Sequence, residues 1–229
     1  MLSSDYGIFS AGCGSGVYRL EQALSTTQRP CHKGFWGFLF ISGMIADPSK
    51  KSGKTIVLVG LMGAGKTNVG RRLATMLDLD FVDADEEISK AAGCSVEDIF
   101  EDYGEKAFRD VEERVIHRLL QEKNRVLATG GGAFMNPTNR QQIAEGGISV
   151  WLRADLDVLV RRTSKRGGRP LLKNKDHKTI LGKLIEERYP VYAEADIVVD
   201  SREDGPDATA KDIKKALEEF SSTTGQDTN

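Results

Sequence analysis

The sequence predicts an α/β protein in which a parallel sheet carries helices on both faces. Three observations lead there. Short apolar, β-branched runs recur between residues 55 and 199. Segments whose apolar residues repeat at helical spacing lie between them. The chain of 229 residues is 39% hydrophobic and 29% charged, the balance of one soluble globular domain. Strands that alternate with helices form βαβ units, and such units build a parallel sheet.

Taken in order, residues 1–50 come first and show no sustained period. They read as a disordered extension, with Met44 as a working start. A targeting segment and a partner-binding segment stay open as other readings. The apolar stretch Gly34–Ala46 is too short and too rich in glycine to span a bilayer. Pro48–Lys54 reads as a polar linker, so the folded domain is expected over residues 51–221. Thr55–Val59 is a buried parallel strand ending at Gly60. Phe81–Val82, Val126–Ala128, Ile148–Leu152 and Ile197–Val199 are four more strands. Val69, Leu73, Met76 and Leu77 mark a first helical stripe; Phe108, Val111, Val115 and Leu119 mark a second. Leu156, Leu159 and Val160, then Ile180, Leu181, Leu184 and Ile185, mark two further helices. Ile213, Ala216, Leu217 and Phe220 mark the last one, and residues 222–229 read as a disordered tail.

Charge and cysteine usage exclude several functions. The formal net charge is −2, from 32 basic and 34 acidic side chains, so bulk charge does not recruit nucleic acid. Cys13, Cys31 and Cys94 are too few and too scattered for a disulfide framework, and they form no zinc spacing with His32, His117 or His177. A reducing compartment follows.

Gly60-Leu61-Met62-Gly63-Ala64-Gly65-Lys66-Thr67 matches the phosphate-loop pattern GxxxxGK[ST], with a strand before it and a helix after it. Its glycines, with Ala64, turn successive amides toward phosphate oxygens, and the helix adds its positive N-terminus. Lys66 can reach the outer phosphates, and the Thr67 hydroxyl can hold Mg²⁺. This predicts a nucleoside triphosphate site, hence ATP and Mg²⁺ as cofactors.

The acceptor of the phosphoryl group is read from the other strand ends. Asp83 and Asp85 follow the second strand, and alternation along an extended segment sends both side chains to one side. Asp83 would join the metal shell and Asp85 would take a proton or hydrogen bond from an alcohol. Equally, the two acids could cap the next helix. Arg109 and Glu112 share a helix face at i, i+3, either as a site pair or as a surface ion pair. Gly130-Gly131-Gly132 closes the third strand, where a ligand must approach the backbone closely or the loop is merely loose. The segment Arg161–Leu172 holds Arg162, Arg166 and Arg169 beside two glycines and suggests a mobile basic lid. Arg188 is expected where a helix stops before Pro190, a place for a ligand-facing guanidinium.

In this order, GLMGAGKT, Asp83-x-Asp85, Phe108-Arg109-x-x-Glu112, Gly130-Gly131-Gly132 and Arg169-Pro170-Leu171-Leu172 resemble the shikimate kinase family over residues 55–218. The resemblance implies a three-layer α/β/α P-loop kinase fold with a five-stranded parallel sheet and a mobile lid. It implies transfer of the ATP γ-phosphoryl group to the 3-hydroxyl of shikimate, in the chorismate pathway to aromatic amino acids. Under it, Arg109, Arg188 and the backbone at Gly131 hold the shikimate carboxylate and ring hydroxyls. Asp85 binds the acceptor hydroxyl and serves as base, while Glu112 orients Arg109. Arg169 faces the phosphoryl group, and Arg162 stacks on adenine with Pro206 on its other face. A cytoplasmic monomer with no nucleic-acid or membrane partner is expected. Two other readings are a kinase for a different polyol acid, such as gluconate, and a nucleotide-binding regulatory module without turnover.

Overall fold

The structure is a computed structural model that describes residues 53–164, 176–201 and 204–224. Five parallel strands form one sheet: β1 (Thr55–Val59), β2 (Asp80–Asp83), β3 (Arg125–Ala128), β4 (Gly147–Arg153) and β5 (Ile197–Asp200), in the order β2-β3-β1-β4-β5. All five match the apolar runs. β1 is central and buried at every position, as a strand covered on both faces must be. Leu58 lies level with Ala128 of β3 and with Val150 of β4, so the carboxyl ends of β1 and β3 open side by side.

Among the described residues seven α-helices cover the sheet: α1 (Lys66–Leu77), α2 (Ala84–Ala92), α3 (Val96–Gln121), α4 (Pro137–Gly146), α5 (Leu156–Ser164), α6 (His177–Tyr192) and α7 (Pro206–Thr224). α1 packs beside α7 on one side, and α3 packs beside α4 on the other. A Cβ at Gly70 of α1 would stand 2.5 Å from the Phe81 ring and 3.0 Å from Leu58, so glycine lets this helix press onto the sheet. The core runs through β1 and β4 into Leu73, Val115, Ile116, Leu159 and Ile213.

Four features differ from the expectation. α2 and α4 carry no long apolar stripe. They are short helices fixed at their starts, α2 by Asp83, whose carboxylate accepts from the Asp85 amide, and α4 by Asn136 with Pro137 in the first turn. α6 does not stop before Pro190 but runs through it to Tyr192. The proline removes one amide donor near the end, and the last turn is held by the Ala193 amide on the Tyr189 carbonyl at 3.0 Å. α7 continues to Thr224, past the expected boundary at 221. There the Ser221, Ser222 and Thr223 hydroxyls donate to carbonyls four residues back, so polar composition does not end the helix. The expected extension over 1–50 and most of the basic lid segment, Arg166 and Arg169 included, lie outside the described residues.

Candidate active site

The carboxyl ends of β1, β2 and β3 open into one cleft of about 1140 Å³. Its floor is the phosphate loop. Gly63 and Gly65 hold φ values of +87° and +98°, the left-handed region that glycine reaches without a Cβ penalty. Gly65 caps α1 with no side chain, so the first amides of α1 stay available to an anion. Lys66 is buried, and its Nζ donates to the Gly60 carbonyl at 2.7 Å and to the Leu61 carbonyl at 3.1 Å. The ammonium is thus held over its own loop.

At the end of β2 the alternation expected for Asp83 and Asp85 does not apply, because the strand ends at Asp83 and α2 begins at once. The two carboxylates converge through a cap instead: Asp83 Oδ1 accepts from the Asp85 amide at 3.0 Å. Asp83 Oδ2 accepts from the Thr67 hydroxyl at 2.8 Å. One hydroxyl and one carboxylate oxygen therefore meet beside the loop, a donor set that suits Mg²⁺, which takes one or two protein oxygens and completes its shell with phosphate and water. Among the described residues no group of three or more His, Cys, Asp or Glu could hold a metal by itself.

Three side chains from α2 and α3 close the next wall. A Cβ at Gly130 would lie 2.7 Å from Glu112 Oε1 and 2.9 Å from Asp85 Oδ1. These two carboxylates face the same backbone position from opposite helices. A Cβ at Gly132 would lie 2.4 Å from Arg109 Nη2. Gly130 and Gly132 are thus demanded by neighbouring charged side chains, whereas a Cβ at Gly131 would stand 3.4 Å from the Met62 amide nitrogen of the phosphate loop. Arg109 Nη1 donates to Glu112 Oε2 at 2.7 Å, and Nη2 donates to Glu105 at 3.1 Å. Glu112 is 1% exposed, so the surface-pair reading fails. Burial pushes the Glu112 carboxyl above its usual range, Arg109 pulls it back, and Asp85 adds to the rise. Burial also opposes the charge on Arg109, but Glu112 and Glu105 outweigh it and hold the guanidinium more firmly charged.

Arg188 reaches the cleft from α6, on the buried stripe Leu181, Leu184, Arg188, Tyr192. Its Nη1 donates to the Gly131 carbonyl at 3.0 Å, and the Tyr192 hydroxyl donates to the same oxygen. Arg188 Nε is buried and has no partner among the described residues. Arg162 stands at the opposite end of the cleft. Its Nη1 donates to the Gly63 and Ala64 carbonyls, both at 3.3 Å, and to Ser201 Oγ at 2.9 Å. Ser201 Oγ in turn donates to the Ala64 carbonyl at 2.7 Å. Pro206, the first residue of α7, lines the same end.

The structure therefore brings Lys66, Thr67, Asp83, Asp85, Arg109, Glu112, Gly131, Arg162, Arg188 and Pro206 to one cleft; of the expected site residues, Arg169 alone is outside the described residues. Tyr192 and Ser201 were not foreseen. Tyr192 follows Arg188 by four residues on one helix face, a signal available in the spacing. Ser201, just past β5, has no comparable signal.

The family model described as shikimate kinase matches residues 62–218. The chain belongs to the shikimate kinase family. It is 56% identical over 169 residues to a shikimate kinase of Paramagnetospirillum magneticum, an alignment covering 74% of this chain and 87% of that protein. A shikimate kinase of Mesorhizobium japonicum is 51% identical over 164 residues, covering 72% and 81% respectively. Among solved structures, the shikimate kinase of Acinetobacter baumannii in complex with shikimate superposes with a TM-score of 0.71 at 36% identity, covering 74% of this chain and 95% of that one.

Proposed function

We propose that this protein transfers the γ-phosphoryl group of ATP to the 3-hydroxyl of shikimate, giving shikimate 3-phosphate and ADP, on the route through chorismate to aromatic amino acids. The observation that carries the reading is the meeting in one cleft of a phosphate loop with the buried guanidinium of Arg188, the half-buried guanidinium of Arg109 and a pair of carboxylates. A small acid with ring hydroxyls needs that set. Arginine forks bind its carboxylate in two-point fashion, and a carboxylate aligns its alcohol. The identity to known shikimate kinases supports the same choice.

In this reading the loop amides and Lys66 grip the triphosphate tail. Thr67 and Asp83 hold Mg²⁺, which when bound neutralises phosphate charge. Asp85 accepts the proton of the attacking hydroxyl, and Arg109 and Arg188 fix the acid end of the acceptor. Glu112 keeps Arg109 aimed inward, while the Gly131 backbone backs the acceptor. Arg162 and Pro206 flank the adenine, and Arg169 covers the transferring group. Phosphoryl transfer asks for positioning and charge neutralisation more than covalent chemistry. No described helix is long and apolar enough to cross a membrane.

The test is ADP release with MgATP and a panel of acceptors. Shikimate should stimulate turnover and gluconate should not. Stimulation by gluconate alone would favour the polyol-acid reading, and no stimulation by any acceptor would refute kinase activity on this class.

A further inference from the structure

We infer that Tyr192 is a positioning residue for the acceptor half of the cleft: its hydroxyl anchors the Gly131 carbonyl and so fixes the guanidinium of Arg188. The inference rests on the reading in which this cleft binds shikimate.

Tyr192 is 0% exposed and lies one helical turn after Arg188 on the buried face of α6. A carbonyl oxygen has two lone pairs, and here both have donors: Arg188 Nη1 takes one and the Tyr192 hydroxyl the other. That arrangement leaves Arg188 with a buried Nε that has no partner among the described residues. An unsatisfied donor on a buried cation is costly, and a carboxylate arriving in the cleft relieves it. The donor is useful only if the guanidinium keeps one orientation, which the shared carbonyl imposes. Burial raises the phenol pKa to about 12, so the hydroxyl remains a donor throughout the working range.

A packing role is the competing account, because the Tyr192 ring sits 6.0 Å from Trp151, 6.3 Å from Tyr189 and 6.4 Å from Phe134. Tyr192→Phe separates the two, since it keeps the ring and deletes the hydrogen bond. Steady-state kinetics on the variant should show the KM for shikimate raised about tenfold, the scale of one hydrogen bond to a charged group. The KM for ATP and kcat should stay within about twofold, and the melting temperature should be close to that of the parent. An unchanged shikimate KM overturns the inference. So does a variant that fails to fold, or one in which both KM values rise as the melting temperature falls, because Tyr192 then serves packing. Should the parent enzyme show no turnover with shikimate, the proposed function fails separately. The decision then passes to the nitrogen-15 signal of Arg188 Nε–H, assigned with Arg188→Lys. Faster exchange with water in Tyr192→Phe supports positioning, and equal exchange overturns it.

Discussion

A methyl group at position 132 would sit 2.4 Å from Nη2 and 2.6 Å from Nη1 of Arg109. The backbone there has φ −105°, a value alanine adopts without strain, so the conflict is with the guanidinium alone. The side chain must swing away and loosen its bond to Glu112, which moves the cost from the fold to the acceptor site. Gly132→Ala is therefore expected to raise the shikimate KM by about tenfold while leaving the ATP KM and the melting temperature near the parent values. Kinetics with each substrate varied, together with a thermal melt, check this. Glu112 behaves differently, because its carboxyl is raised above its ordinary value of 4.5 chiefly by burial. Between that value and the folded one, the folded chain binds more protons than the unfolded chain, so stability falls as pH rises through the window. Glu112→Gln removes this penalty. Melts from pH 4 to 8 should show the variant gaining on the parent as pH increases, with the smallest gain at the acid end. A difference independent of pH would mean that the carboxyl is hydrated. The pairing of Arg109 with Glu112 was legible from their spacing, but its burial was not. Spacing tells which residues share a face, and only packing tells that this face, with Phe108, Val115 and Leu119, turns inward.

Two breaks in long helices show how far an element can be read. Pro190 promised the end of α6 and does not end it, because a proline in the last turn removes a single donor and Tyr192 beyond it is buried. Gly104 gave no warning, yet it divides α3, with φ 80° and ψ 172° inside the helical span. The apolar stripe could not reveal this, since Ile99 and Phe108 are buried on either side of the break. Only glycine populates that backbone region readily, and a Cβ at 104 would meet nothing within 4 Å. The penalty for Gly104→Ala is therefore one of backbone alone, roughly 1–3 kcal/mol. At this chain length each kcal/mol is worth about 2–4 °C, so a loss of several degrees in the melting temperature is expected. The break also sets Phe100 against Phe108, whose rings lie 4.5 Å apart at the cleft wall next to Arg109. Calorimetry should accordingly show the stability loss, and kinetics a raised shikimate KM with the ATP KM unchanged. A melting temperature equal to the parent's would mean that the helix runs straight through Gly104 at no cost.

At the scale of the molecule, the five strands were legible because β-branched runs buried on both faces have few alternatives, and the site was legible because ligands in such sheets gather beyond the strand ends. What composition could not give was the division of labour across the cleft. Lys66 and Thr67 belong to α1, Arg162 to α5 and Ser201 to the end of β5, whereas Asp85 comes from α2, Arg109 and Glu112 from α3, and Arg188 from α6. The groups proposed for the nucleotide and for the acceptor thus sit on different elements, although α5 and α6, which carry Arg162 and Arg188, pack against each other. Two half-sites built this way should respond separately to damage. A ligand at a hundred times its Kd stabilises the folded state by about 2.7 kcal/mol, a rise of roughly 5–10 °C for a chain of this size. MgADP and shikimate should each produce such a rise in the parent. Lys66→Ala should lose the MgADP shift and keep the shikimate shift, while Arg188→Lys, which keeps the charge and loses the fork, should do the reverse. If either substitution abolished both shifts without lowering the ligand-free melting temperature, the two halves would be one coupled site, and the assignment of residues to separate ends of the cleft would fail.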